Sequence, residues 1–238
     1  MIIIKFNCVP TTQEIAKKLA EHINEDVFAV IAEKQTNGRG RRGRRWHSPK
    51  GGLWMSIVLK RKNRRFNMAP LMAAVAVAKV IEKLYNLKVQ VKWPNDILIN
   101  GKKVGGILCE ATFSGEELKY IVIGIGLNVN LRLNDFPREL RENATSILLE
   151  TGREVNLETL AKHIIREIMK AVKMNNNEVL KKWKNYDCTL GRKVKVISDS
   201  GELLGVALAV DADGSLIVKM DTGKVKRIYA DEVKLQLL

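Results

Sequence analysis

Histidine and cysteine are scarce in this chain, three of each in 238 residues. His22, His47 and His163 lie far apart, as do Cys8, Cys109 and Cys188. No Cys-x-x-Cys pair occurs and no two histidines stand at metal-ligand spacing, which argues against a zinc centre and a disulfide framework. Reduced thiols in a cytoplasmic protein are the expectation. Long apolar runs are missing too: none approaches the roughly 18 residues of a membrane span. The opening IIIKFNCV is too short for a secretory signal and lacks a basic start. No membrane partner is expected.

The most informative scarcity is of acid. Residues 38–65 hold eight Arg and three Lys with no Asp or Glu, whereas residues 191–238 carry a net charge of only +1 out of +15 for the whole chain. A general nucleic-acid binder spreads its charge along a face or helix; a concentrated patch suggests a discrete polyanionic ligand at least as strongly.

Periodicity supplies the frame. IIIKFN, 27–34, 53–59 and 89–93 read as strands, and helices follow the first of them and Pro70. The first helix has Ile15, Leu19 and Ile23 at four-residue steps; the second carries Leu71, Val75, Ala78, Ile81 and Tyr85 on one face. Asn100-Gly101 signals a type I′ hairpin between strands ending near Ile99 and running through Val104–Ala111. A further strand, YIVIGIGLNVN, precedes a helix from about Asn156 to Met174. From Lys193 onward, short runs begin near 193, 202, 215, 224 and 233, the even spacing of a small β-barrel. The expected architecture is α/β (α+β): a domain over 1–187 with a mixed, largely antiparallel sheet, then a small all-β domain over 188–238.

Gly38, Gly40 and Gly43 match GxGxxG literally, but a dinucleotide fingerprint needs a helix directly after it and an acid about 20 positions on. Here a strand follows and no acid appears before Glu82. No Walker A pattern exists either. What remains is a glycine-rich loop with five arginines and Trp46. Glycines let backbone approach a ligand, and arginine forks bind phosphate oxygens in pairs. Phosphate-ligand binding, nucleic-acid backbone binding and a merely solvated basic loop all stay open on spacing alone. Downstream, Lys92-Trp93-Pro94 ends a strand and places Asn95 and Asp96 at a turn. Lys103 stands beside Gly105-Gly106, where glycine in a strand marks a close approach. Gly124 and Gly126, followed by Asn128, repeat that theme.

GRGRRGRRW, KWPND, the Lys103 segment KxxGGIL and GIGLNVN, in that order, resemble the motifs of biotin–protein ligases. The resemblance runs from Thr11-Thr12-Gln13 to the C-terminal barrel. It implies a catalytic core like that of class II aminoacyl-tRNA synthetases, ending in an SH3-like barrel. The implied reaction joins biotin to ATP as biotinyl-5′-AMP and passes biotin to a lysine of a biotin carboxyl carrier protein. Arg39, Arg41 and Arg44 would engage the biotin carboxylate and phosphates, with Arg42 on the ATP side. Gly38, Gly40 and Gly43 would let the loop fold over biotin. Lys103 would bridge carboxylate and α-phosphate. Trp46 and Asn128 would face the adenine, and Lys92 would add to the phosphate field. Asp96, with Asn95, would orient the incoming lysine or a metal-bound phosphate. Thr11, Thr12 and Gln35 would bind the ureido ring, with Gly106, Leu108 and Gly124 lining its pocket.

Thr11-x-x-Glu14 is equally a helix capping box, and Gln13 stands where the family usually has Asn. No metal site made of protein ligands alone is expected; Mg2+ would enter on the ATP phosphates, near Asp96. With its motifs beginning by residue 11, the sequence reads as a ligase without the DNA-binding repressor domain of some relatives, and no specific DNA binding is expected. A homodimer built on the sheet's edge is compatible with the resemblance. The competing readings are a lipoate or octanoate ligase, and a nucleic-acid module using the 38–65 patch.

Overall fold

A computed structural model describes residues 1–60, 66–199, 201–230 and 233–238. Arg61 to Arg65, the last part of the basic 38–65 patch, and Ser200 of the expected turn at 199–201 lie outside the described residues.

The first unit is a seven-stranded sheet. Its elements in chain order are β1 (Ile2–Val9), α1 (Thr12–Ala20), β2 (Val27–Gln35), β3 (Leu53–Leu59), α2 (Ala69–Tyr85), β4 (Val89–Lys92), β5 (Asp96–Ile99), β6 (Lys102–Ser114) and β7 (Glu117–Leu127). Strand order is β1-β2-β3-β7-β6-β5-β4. Only β1 and β2, joined through α1, run parallel; the other described pairs are antiparallel. Asn100 and Gly101 both take positive φ, 51° and 76°, as a type I′ turn between β5 and β6 requires.

Two-residue alternation gives each sheet face its own job. In β3, Leu53, Met55, Ile57 and Leu59 enter the large core with α2, while Val58 turns to a smaller core with Ala16 and Ala20 of α1. In β7, Ile121, Ile123, Ile125 and Leu127 join the α2 core, whereas Tyr120 and Val122 face α1. The fully buried face of α1 is therefore its alanine side; Ile15, Leu19 and Ile23 are only partly buried beside it. Small residues let this helix lie close to the sheet. α2 is buried nearly all round because α4 (Leu157–Ala171) and α5 (Asn176–Lys184) cover its outer side. Each large aliphatic side chain so buried contributes about 1.5–3 kcal/mol.

Periodicity leaves 131–155 and 175–185 without regular elements. In the structure the first holds two short 3-10 turns and α3 (Ile147–Thr151), the second α5. Both helices are too short for a repeating stripe, but each is capped: Ser146 accepts from Leu149 N, and Asn175 with Glu178 forms a capping box.

The second unit is a five-stranded antiparallel sheet of β8 (Lys193–Ser198), β9 (Gly201–Val210), β10 (Leu216–Met220), β11 (Val225–Ile228) and β12 (Val233–Leu237), ordered β11-β10-β9-β8-β12. It is fastened to the first unit at Trp93, whose Nε1 donates to Gly214 O at 3.0 Å and whose backbone N donates to Thr189 Oγ1 at 2.8 Å. Among the described residues, no helix is long and apolar enough to cross a membrane.

Candidate active site

The alternation that makes the α1 face also hollows it. Where β6 and β7 pair, Gly106 lies opposite Gly126 and Leu108 opposite Gly124. On the same face β3 contributes Ser56, the polar residue between Trp54 and Val58. Three missing side chains and one hydroxyl leave a trough in the sheet surface. A cavity of about 360 Å³ occupies it, walled by the start of α1, the end of β2, the 38–46 segment, the KWPND turn and β12.

The glycine–arginine segment reads as a flexible loop, yet it folds as a small hairpin. Arg39 and Arg45 pair, Trp46 N donates to Gly38 O at 2.8 Å, and Gly40 N donates to Arg44 O at 2.7 Å. Its tip turns through positive φ at Arg42 (55°) and Gly43 (69°). Arg41 reaches Asn95 Oδ1 at 3.1 Å and Val233 O at 3.2 Å, so it ties the hairpin to both the KWPND turn and the second unit. Arg42 pairs with Asp199 and the Ile197 carbonyl. Arg39 meets Glu14 at 2.6 Å.

Lys103 is aimed by an irregularity in the ladder. Asp96 pairs with Gly106 and Ile97 with Gly105, but Leu98 pairs with Lys103, leaving Val104 as the extra residue of a β-bulge. Strict alternation would put Lys103 on the face opposite Gly106. The bulge turns it onto the Asp96–Gly106 face while Val104 enters the core. Its backbone is clamped by Asn143 O and Thr145 N, at 2.8 and 3.0 Å. Lys103 Nζ lies 2.5 Å from Asp96 Oδ1 and 5.0 Å from the centroid of the Trp46 ring. Deeper in, burial pushes the Lys92 ammonium below its ordinary value, against the pull of Asp96 and with the push of Lys103.

At the other end, a polar chain runs along the wall. Thr12 N donates to Gln35 Oε1 at 2.8 Å, Gln35 Nε2 to Ser48 Oγ at 2.8 Å, and Ser48 Oγ to Trp46 O at 3.0 Å. Thr11 caps α1 by accepting from Gln13 N at 3.3 Å. The reciprocal half of a capping box is not made, since Glu14 faces Arg39.

The cavity lining brings together Thr11, Thr12, Gln35, Arg39, Gly40, Arg41, Arg44, Trp46, Lys92, Asn95, Asp96, Lys103, Gly106, Leu108, Gly124 and Asn128. Gly38, Arg42 and Gly43 are off it. Gly38 is buried where a Cβ would fall 2.4 Å from Ser48 Oγ and 2.5 Å from Trp46 O, so it serves hairpin closure. Gly43 forms the exposed tip, and Arg42 faces the second unit. Asn128 Nδ2 donates to Thr145 O at 3.0 Å, bracing the segment that holds Lys103. The glycines in the strands are already covered: the Trp46 ring lies over Gly106 and Gly126, and the Gln13 amide over Gly124. Sequence reasoning did not single out Ser56, Gln13 as a cavity residue, or Lys234, which enters from β12. A lone serine in LWMSIVL was the available signal for the first.

Among the described residues, seven cations, Arg39, Arg41, Arg44, Arg45, Lys92, Lys103 and Lys234, line the cavity against one acid, Asp96. Such a field suits a ligand bearing several negative charges, or two anions brought together.

Residues 5–128 match the model of the biotin/lipoate A/B protein ligase family, and residues 189–235 match that of the biotin protein ligase C-terminal domain. The chain is 36% identical over 241 residues to the Bacillus subtilis bifunctional ligase/repressor BirA, covering 98% of this chain and 74% of that one. It is 30% identical over 230 residues to the Paracoccus denitrificans biotin–[acetyl-CoA-carboxylase] ligase, covering 90% and 92%. Among solved structures, the biotin protein ligase from Aquifex aeolicus in complex with biotin and ATP superposes with a TM-score of 0.85 at 29% identity, covering 99% of both chains. The Leishmania major biotin protein ligase in complex with biotinyl-5-AMP gives a TM-score of 0.67 at 25% identity, covering 96% of this chain and 98% of that one.

Proposed function

We propose how this cavity works from one premise: the chain belongs to the biotin/lipoate A/B protein ligase family and is an adenylate-forming biotin–protein ligase. Its fold is the class II aminoacyl-tRNA synthetase-like core with a C-terminal SH3-like domain, as the resemblance implied. Biotin and ATP are its substrates. The biotin carboxylate attacks the α-phosphorus, pyrophosphate leaves, and an acceptor amine then displaces AMP from the acyl carbonyl. A free carboxylate is a poor electrophile, and the mixed anhydride with AMP supplies the leaving group.

The observation that carries the residue assignments is the position of Lys103, bulged onto the glycine trough beside Asp96 and under Trp46. Two anions that repel must meet there, and a fixed cation between them stabilises the charge gathering on the transferred phosphate. Lys103 bridges carboxylate and α-phosphate in this reading. Arg39, Arg41 and Arg44 hold carboxylate and phosphate oxygens, and Lys92 strengthens the field. Trp46 and Asn128 bound the adenine side. Thr11, Thr12 and Gln35 take the ureido ring over Gly106, Leu108 and Gly124. The hairpin excludes water from a hydrolysable intermediate. Arg41 and Arg42 turn toward Val233, Asn95 and Asp199, which favours this reading over a nucleic-acid module using the same patch.

Among the described residues, no group of three or more His, Cys, Asp or Glu is placed to hold a metal ion. With Asp96 the one lining acid among the described residues, the site fits Mg2+ carried in on polyphosphate, where it would neutralise phosphate charge. The acceptor is a lysine of a biotin carboxyl carrier protein. The chain itself binds no DNA sequence specifically, and a homodimer would be built on the sheet's edge. We set the domain boundary at 187/188, just before the C-terminal family match at residue 189. A cytoplasmic setting is supported by three free cysteines.

The test is ATP–pyrophosphate exchange. Biotin should support it and lipoate or octanoate should not, and labelled biotin should pass to a carrier domain. Exchange with lipoate alone would reassign the substrate.

A further inference from the structure

Gln13 is buried, with 5% of its surface exposed, at the closed end of the cavity, beside Ser56 and Thr12 at 0% and 4%. Its amide spans the trough. Nε2 lies 3.2 Å from Val122 O and 3.4 Å from Leu108 O, both acceptors, so this end must be the NH2. The carbonyl end is thereby fixed, and Gln13 Oε1 accepts from Ser56 Oγ at 2.9 Å. Ser56 has one hydroxyl proton and spends it there. Thr12 Oγ1, 2.8 Å from Ser56 Oγ, must then be the donor of that pair. Gln35 Oε1, which accepts from Thr12 N at 2.8 Å, also lies 3.2 Å from Thr12 Oγ1 as a second, longer acceptor for the same proton, so in either arrangement the Thr12 hydroxyl donates to the protein. With both protons committed inward, the two hydroxyls have only lone pairs left for a ligand.

We propose that Gln13 is a positioning residue that orders the Ser56 and Thr12 protons and makes this end of the cavity an acceptor for ring N–H groups. The proposal rests on placing the ureido ring at this end. A cyclic urea offers two N–H donors and fits; a ring with oxygen in place of N–H opposes lone pair to lone pair. Gly124 belongs to the device, because a Cβ there would lie 2.6 Å from Gln13 Oε1 and displace the amide.

The experiment compares biotin with its two cyclic carbamate analogues, each with one ureido N–H replaced by oxygen and otherwise nearly isosteric. ATP–pyrophosphate exchange gives kcat/KM for each. The wild type should prefer biotin by ~100-fold or more, as a site built around a ligand N–H does. In Gln13→Met the hydroxyls are free to turn and donate, so the preference should shrink by about tenfold or more. Ser56→Ala, which breaks the relay one step later, should relax it similarly, and thermal melts show which variants fold. A merely structural role for Gln13 would weaken all three ligands together and leave the ratio unchanged; that result in a folded variant overturns the proposal. A wild type with no biotin-dependent exchange overturns the placement of biotin itself.

Discussion

Lys103 and Asp96 face each other across β5 and β6 at 2.5 Å because Val104 is bulged out of the ladder between them. Their side chains are 35% and 24% exposed, so the pair is half-solvated and adds little to stability, about 1 kcal/mol at most. Its importance is positional. In the proposed mechanism the aspartate holds the ammonium over the trough until an anion arrives to share it.

Lys103→Met should therefore leave the protein folded and stop the first half-reaction. Removing the cation from the developing phosphate charge should cost on the order of 10²–10³ in the exchange rate. The melting temperature should stay close to that of the wild type. A variant that retains exchange within tenfold would remove Lys103 from the bridging role.

Asp96→Asn separates two duties of the carboxylate. We expect pyrophosphate exchange to persist within a few-fold, because the cavity gains net positive charge for its anions. Transfer from preformed biotinyl-5′-AMP to the carrier should fall by more than tenfold, because the incoming ammonium loses the group that orients it. The reverse pattern, exchange lost and transfer intact, would assign Asp96 to the metal-bound phosphate.

The frame of this site was legible in the sequence because periodicity reports which face a side chain takes. The strand at 53–59, the hairpin at Asn100-Gly101 and the five barrel strands from 193 all follow from alternation and turn residues. The aim of Lys103 was not legible, since a bulge inverts parity and leaves no mark in the residue string. Gln13 is misleading for a related reason. As a letter it departs from the family's usual Asn; in space its extra methylene lets it reach Val122 O and Leu108 O. Trp93 reads as part of a catalytic motif, yet its indole N–H goes to Gly214 of the second unit. Long-range partners of this kind have no local signature.

Lys92 gives the site a measurable proton. Burial holds its folded value below the ordinary 10.5. Between those two values the unfolded chain binds more protons than the folded one, so this residue's contribution to stability rises with pH there. Below the lowered value the full cost of burying the ammonium remains. Bound polyphosphate favours the charged form, and ATP binding in that alkaline window should take up a proton. Calorimetry in buffers of different ionisation enthalpy should show this uptake in the wild type and lose it in Lys92→Met. Equal uptake in both proteins would assign the proton elsewhere.

Trp46 lies where two glycines make room for it. A Cβ on residue 126 would fall 2.5 Å from Trp46 Nε1 and 2.7 Å from its Cε2, closer than real Cβ atoms come. Among the described residues that Nε1 is buried with no hydrogen-bond partner, so apart from the Lys103 ammonium against its face no polar contact is seen for the ring. Gly126→Ala should therefore expel the indole instead of breaking the sheet. The other three tryptophans, Trp54, Trp93 and Trp183, are fully buried, so a change in solvent access reports Trp46. Emission should shift to the red and acrylamide quenching should increase, and both changes should vanish when Trp46→Phe is added. The KM for ATP should rise several-fold as the wall of the adenine side is lost, while the KM for biotin changes less. Unaltered emission together with a large fall in melting temperature would mean that the ring stays and the strands move, and Trp46 would then be a fixed part of the core.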